Sequence, residues 1–173
     1  MITYILAAIT GVLILLADQF TKFSVQNHFE MAKSYEFLPG LIDITYIHND
    51  GGAWGMLGGY TWLLLSVTIV VMLVCIALLL KYGAKDRLMF WAIILVLSGG
   101  VGNMIDRIFR GGKVIDFLHF EFWPTFPVFN VADCAIVVGA ALLMLYFFKG
   151  IIDEEKQKRA AAVTVVSKED ENI

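Results

Sequence analysis

Long stretches of this 173-residue chain carry no charge at all, and only 17% of its residues are Asp, Glu, Lys or Arg, against about a quarter in soluble proteins. No charged side chain falls between Met1 and Ala17, Gly51 and Leu80, Leu88 and Ile105, or Cys134 and Phe148. Cysteine is equally scarce. Cys75 and Cys134 both lie in apolar stretches without paired spacing, which argues against a disulfide framework or metal site and reads as two buried free thiols acting as small hydrophobes. His28, His48 and His119 form no HExxH or i,i+4 pair, so a zinc peptidase has no ligands in pattern. No serine stands in a G-x-S-x-G context, and none shares a helix face with Lys22 in an evident Ser-Lys arrangement. A net charge of −3 gives no footing for nucleic acid. The absence of an internal repeat weighs against inverted-repeat transporters.

What fills the uncharged gaps is hydrocarbon. A bilayer core takes about 20 mostly apolar helical residues, and four runs qualify: 3–20, 62–81, 88–107 and 128–148. The first lacks a basic leader and a small-residue cleavage site followed by a soluble domain, so it reads as a span and not as a signal peptide. Four spans place both termini on one side. Within about 15 residues of the span ends, where the bias acts, the link between spans two and three and the C-terminal tail hold Lys81, Lys85, Arg87, Lys149, Lys156, Lys158 and Arg159, seven basic residues; Lys22, Lys33, Arg107, Arg110 and Lys113 make five on the other side. Positive-inside bias therefore puts the termini in the cytoplasm. The expected architecture is an all-α polytopic membrane protein with a single four-helix domain over 1–150. A polar cytoplasmic tail, frayed and without a chemical role, is expected over 151–173.

The outer segments carry strand patterns. Ile42, Ile44 and Tyr46 alternate with Asp43, Thr45 and Ile47 after the Pro39-Gly40 turn signal, and Val114, Asp116, Leu118 and Phe120 follow Gly111-Gly112 on one strand face. A small extracytoplasmic β-sheet accommodates both. Asn49-Asp50-Gly51-Gly52-Ala53-Trp54-Gly55 reads either as a flexible hairpin with an interfacial tryptophan or as a Gly-rich loop covering a site.

Charged residues cluster at the outer span ends. Asp18 and Lys22 are four apart and share a helix face, either as an interfacial anchor or as support for a site. Gly99-Gly100 and Gly102 permit close helix packing ahead of Asn103, Asp106 and Arg107. Adjacent on a helix, Asp106 and Arg107 face different ways, so a pairing of Asp106 with Lys22 and of Arg107 with Asp18 is one arrangement across the bundle.

Asp116 and Asp133 have no obvious local cation. An ionisable side chain in a membrane protein marks a functional site by default. Asn130 as N-cap places Asp133 at the third helical position, where the helix dipole favours an anion. That bland account leaves Asp116, on an apolar strand face, unexplained. Two carboxyls that meet in a dry site cannot both ionise; they share one proton. The ionised partner then takes a proton from water, while the protonated partner polarises the scissile carbonyl and later protonates the amine. The rival is a transporter or scaffold with Asp18, Asp106, Asp116 and Asp133 as a proton relay, but the span centres offer such a relay no polar path inward.

Taken together, Asp18-Gln19 with Thr21-Lys22, Asn49 with Gly51 and Ala53-Trp54-Gly55, Gly99-Gly100 with Gly102-Asn103 and Asp106-Arg107, Val114-Ile115-Asp116-Phe117, and Phe126-Pro127 with Phe129-Asn130-Val131-Ala132-Asp133 resemble the motifs of the bacterial lipoprotein signal peptidases (signal peptidase II). The resemblance covers most of the chain. It implies an intramembrane aspartyl endopeptidase of the bacterial cytoplasmic membrane, with Asp116 and Asp133 catalytic. It also implies supporting or substrate-binding roles for Asp18, Lys22, Asn49, Asn103, Asp106, Arg107, Asn130 and Ala132; Gly99 and Trp54 join them as motif and cover residues. The implied substrate is a diacylglyceryl-modified prolipoprotein, cut on the amino side of its lipidated cysteine. No metal, cofactor or obligatory protein partner is expected, and globomycin-type compounds are the implied inhibitors. One departure is visible: Gly52 stands where the family's N-x-G-A-A pattern has its first alanine.

Overall fold

The computed structural model describes residues 1–52, 57–82 and 86–170. Four helices, α1 (Ile2–His28), α2 (Thr61–Tyr82), α3 (Arg87–Phe109) and α4 (Val131–Asp170), frame three strands, β1 (Ser34–Leu38), β2 (Ile42–Asn49) and β3 (Val114–Phe120). All four helices contain windows long and apolar enough to cross a membrane. Of the most apolar window, 44% is buried in α3 but only 6% in α2, so α3 is the hub and α2 faces lipid.

The packing follows from small residues. The buried stripe of α3 runs Met89, Ala92, Ile93, Val96, Gly99, Gly100, Gly102, Asn103 and Asp106, the three-and-four spacing of one helical face. A methyl group on Gly99 would collide with the Ala132 carbonyl oxygen and come within 2.8 Å of Ile136 Cγ1. Gly99 thus lets the first turn of α4 lie against α3 at Ala132. Gly99→Ala is expected to destabilise the protein by about 1–3 kcal/mol, the usual cost of overpacking, read as a lower melting temperature. An unchanged melt would contradict the close approach.

The sheet is antiparallel in the order β1-β2-β3, with Ile47 opposite Asp116 and Asn49 opposite Val114. Val25 of α1 packs with Ile44, Tyr46, Ile115 and Phe117, seating the sheet on the end of α1. The chain reverses from α3 into β3 through Gly111 and Gly112, both at positive φ, where side chains are strained.

Several boundaries differ from expectation. α1 continues beyond its apolar run to His28, because Asp18 and Lys22 are satisfied inside the bundle. α4 starts at Val131 and not at 128, since Phe129 is held extended by hydrogen bonds with Leu118. α4 runs on past the expected span end as helix to Asp170, with i,i+4 pairs such as Glu154–Lys158 at 2.7 Å on the way. β1 was not expected. Cys75 is buried as anticipated, but Cys134 is exposed; Ala132 and Ala135 take the inward positions of that turn and leave Cys134 facing out.

Candidate active site

Five elements, α1, β2, α3, β3 and α4, bring their polar residues to one end of the bundle. Asn130 caps α4: its Oδ1 accepts from the Asp133 N–H at 2.9 Å, and Asp133 Oδ2 accepts from the Asn130 N–H at 3.1 Å. This reciprocal pair is the logic of a capping box. It fixes one carboxylate oxygen of Asp133, while the other accepts from Asn103 Nδ2 at 2.7 Å.

Asp116 stands on β3, 1% exposed. Its Oδ1 accepts from Asn130 Nδ2 at 2.6 Å and its Oδ2 from Asn49 Nδ2 at 2.7 Å. Asn130 therefore touches both aspartates, with its amide nitrogen on one and its amide oxygen on the backbone of the other. Burial first, and then the negative charge of Asp133, push the Asp116 carboxyl up to about 7 against the amides of Asn49 and Asn130 and the charge of Lys22, which oppose the rise.

Beneath the pair lies a fully buried ion cluster. Lys22 Nζ meets Asp18 Oδ2 at 2.9 Å, Asp106 Oδ2 at 3.1 Å and Asn103 Oδ1 at 3.0 Å. Each acid also holds backbone next to one aspartate of the pair. Asp18 Oδ1 accepts from the Ala132 N–H at 2.9 Å, and Asp106 Oδ2 accepts from the Ile115 N–H at 3.1 Å. Lys22 also orients Asn103: with its oxygen on the ammonium, the Asn103 amide must present its nitrogen to Asp133.

The sequence pairing of Asp106 with Lys22 is present. That of Arg107 with Asp18 is not, because Asp18 is spent on Lys22 and on Ala132. Among the described residues Arg107 instead donates to the Asn103 carbonyl at 3.5 Å, and its buried Nε has no hydrogen-bond partner. Gly102 sits against this cluster: a Cβ there would lie 2.6 Å from Asp18 Oδ2. Trp54 lies outside the described residues. Two further residues join the cluster: Gln19, named in the first motif without a role, and Arg110. Gln19 Nε2 donates to Asp18 Oδ2 at 3.0 Å, to Gly102 O at 3.2 Å and to Asp106 Oδ1 at 3.3 Å. Arg110 Nε meets Asp106 at 3.2 Å, one helical turn on, a spacing that could have been read.

Beside Asn49, residues 47–50 and 124–128, with Gly52 and His119, line a cavity of about 420 Å³. Among the described residues no cluster of His, Cys, Asp and Glu has metal-holding geometry.

Four apolar spans crowned by two amide-bridged carboxyls define a polytopic membrane protein with an acid site at one end of its bundle. The chain belongs to the signal peptidase II family: the family described as Signal peptidase (SPase) II matches residues 10–149. It is similar to a lipoprotein signal peptidase of Bacillus pumilus, 41% identical with 70% of this chain and 79% of that protein covered. Similarity to a lipoprotein signal peptidase of Halalkalibacterium halodurans is also 41%, covering 80% and 86%. Two solved structures described as bacterial membrane enzymes superpose with TM-scores of 0.76 and 0.74 at 31% and 32% identity. They cover 85% of this chain in each case, and 88% and 93% of their own. Family membership makes the protein a multi-pass bacterial membrane hydrolase that cleaves signal peptides from lipoproteins.

Proposed function

We propose that Asp116 and Asp133 form an aspartyl dyad that hydrolyses diacylglyceryl-modified prolipoproteins on the amino side of the lipidated cysteine. The observation that carries this reading is Asn130, which hydrogen-bonds Asp116 and caps onto Asp133, holding two carboxyls as one unit at the end of a membrane bundle. Asp116, buried and raised to about 7, holds the shared proton. Asp133, at a helix N-terminus that favours an anion, is the base. Asp133 takes a proton from water as the water oxygen bonds to the scissile carbonyl carbon, and Asp116 hydrogen-bonds the developing oxyanion. The C–N bond breaks as Asp116 gives its proton to the leaving amine. The shared proton ends on Asp133, and its return across the pair resets the site.

A lipid-bearing apolar substrate reaches this site within the bilayer. Cytoplasmic termini then place the dyad near the outer membrane face, where water is at hand. The Gly-rich loop bearing Trp54 serves as cover and the sheet as cradle, and globomycin-type inhibitors occupy the same site. The test is cleavage in vesicles. Purified protein should shorten diacylglyceryl-modified prolipoprotein by the mass of its signal peptide, and globomycin should stop it. Equal cleavage of the unmodified precursor would refute the lipid requirement.

The dyad also fixes a pH dependence. Catalysis needs the proton on Asp116, so kcat/KM should fall as pH rises through about 7, approaching tenfold per unit for loss of one essential proton. The Asn49 amide favours the ionised form of Asp116. Asn49→Ala should therefore move this limb to higher pH, measurable as a shifted kcat/KM profile. A limb that stays put or moves down contradicts Asp116 as the proton holder.

A further inference from the structure

The end of the sheet away from the dyad carries an apolar surface that the site does not use. Phe37, Leu38, Leu41, Phe122 and Trp123 are each 44% to 59% exposed, yet they belong to one tied unit. Glu36 pairs with Asp43 and Leu38 with Ile42, which leaves Phe37 as the extra residue of a β-bulge, a device that re-aims a side chain. Ile42 in turn pairs with Phe120. The Phe120 ring packs on Phe122 at 5.1 Å and on Phe126 at 5.3 Å, and Trp123 packs on Phe126 at 5.1 Å. Glu121 closes the tip: its carboxylate accepts from the Gly40 N–H at 2.6 Å, and its own N–H donates to the Leu41 carbonyl at 3.1 Å. The acid is thus turned onto backbone while the aromatics face out.

What covers the tip follows from where the sheet sits. Phe20 and Phe23 are exposed on α1, a spanning helix, and the exposed Met31 continues that apolar surface past the helix end. Phe29 packs edge-on against Tyr35 of β1 at 5.1 Å, and Val25 packs with Ile44 and Tyr46. The sheet is therefore seated on the end of a helix whose outer surface lies in lipid, and the tip prolongs an interface the protein already makes. Its composition suits the headgroup–acyl boundary, where amphipathic aromatic rings collect. A contiguous exposed apolar patch needs a partner, and the bilayer is the one partner that every copy of this chain already has.

We propose that Phe37, Leu38, Leu41, Phe122 and Trp123 form a membrane anchor, inserted into the phospholipid boundary at the end of the bundle that holds the dyad. The consequence is positional. Asp116 lies four residues from Phe120 along β3, about 13 Å at the usual rise of a strand. Anchoring the tip sets the height of Asp116 relative to the acyl chains, and so the depth at which a bilayer-delivered bond meets it.

The test uses a single-tryptophan chain that keeps Trp123, with Trp54, Trp62 and Trp91 replaced by Phe, in vesicles of brominated phosphatidylcholine. Emission should be quenched about twofold or more, more strongly by bromines near the headgroup end of the acyl chain than by those near its methyl end, and little by aqueous iodide. Quenching by iodide and not by bromolipid overturns the anchor. Shielding from both that lapses as the protein is diluted in lipid means a second copy covers the tip, and overturns it too. A spin label at Phe37→Cys, in a chain carrying Cys75→Ala and Cys134→Ala, leaves every tryptophan in place. Oxygen should reach this label more readily than a water-soluble nickel chelate does, and the reverse order overturns the proposal. Neither readout depends on the chemistry of the dyad.

Discussion

Asp116→Asn and Asp133→Asn are each expected to lower kcat by about 10²–10⁴-fold, the range for loss of a positioned acid or base, with KM nearly unchanged. In the proposed mechanism both groups act on water and on charge that develops during reaction, so their loss should be felt in the transition state and little in the ground state. Neither change need unfold the site. An amide oxygen at 133 can still accept from the Asn130 N–H and preserve the cap. An Asn sets its own NH₂ against a donor at either position, Asn103 Nδ2 at 133 and Asn49 or Asn130 Nδ2 at 116, but position 116 is 1% exposed whereas 133 is half-buried. A buried donor left without an acceptor costs about 1–3 kcal/mol, so Asp116→Asn should also melt earlier than Asp133→Asn. Cleavage of diacylglyceryl-modified substrate at more than a tenth of the native rate by either variant, with circular dichroism unchanged, would end the dyad assignment.

Much of this was legible in the sequence, for reasons that also explain what was not. The spans showed because charge is absent over runs as long as a bilayer is thick, and lipid leaves a helix no other partner for its backbone. Asp133 at the third helical position was readable from Asn130, since capping is local chemistry. Asp116 stood out because a carboxylate among Val114, Ile115 and Phe117 demands a reason. Local pattern fails where the partner is distant. Which of Lys22, Arg107 and Arg110 meets which of Asp18 and Asp106 depends on how α1 and α3 cross, so the sequence leaves the pairing open, and the arrangement with Arg107 on Asp18 is not the one formed. β1 escaped notice because four of its five residues are exposed, so its pairing with β2 imposes no alternation on its sequence. Gln19 was legible as a motif residue but not as a partner, because a glutamine beside an aspartate names no contact until Gly102 and Asp106 close over it.

Lys22→Met is the substitution expected to cost most stability, about 3–5 kcal/mol, the penalty for removing one partner of a buried ion pair. The lysine is fully buried between Asp18 and Asp106, at 2.9 and 3.1 Å. Without it two carboxylates face a dry space; Asp106 keeps Arg110, whereas Asp18 keeps only neutral donors, Gln19 and the Ala132 N–H. The loss should be largely repaired by neutralising all three groups together, as Lys22→Met with Asp18→Asn and Asp106→Asn. Replacing a whole buried ion cluster by neutral groups is often harmless where breaking it is not, and the new amide oxygens still accept from Ala132 and Ile115. Catalysis should not recover in step. Lys22 is one of two donors to the Asn103 oxygen, at 3.0 Å, beside Asn130 Nδ2 at 3.1 Å, so the triple variant leaves the Asn103 amide held towards Asp133 by a single neutral donor in place of the ammonium. Unfolding midpoints and kcat are then expected to separate: the triple variant near native in the first and well below it in the second. A Lys22→Met protein that melts like the native one would mean the cluster contributes nothing to the fold. Full activity in the triple variant would mean Lys22 has no part in aiming the dyad.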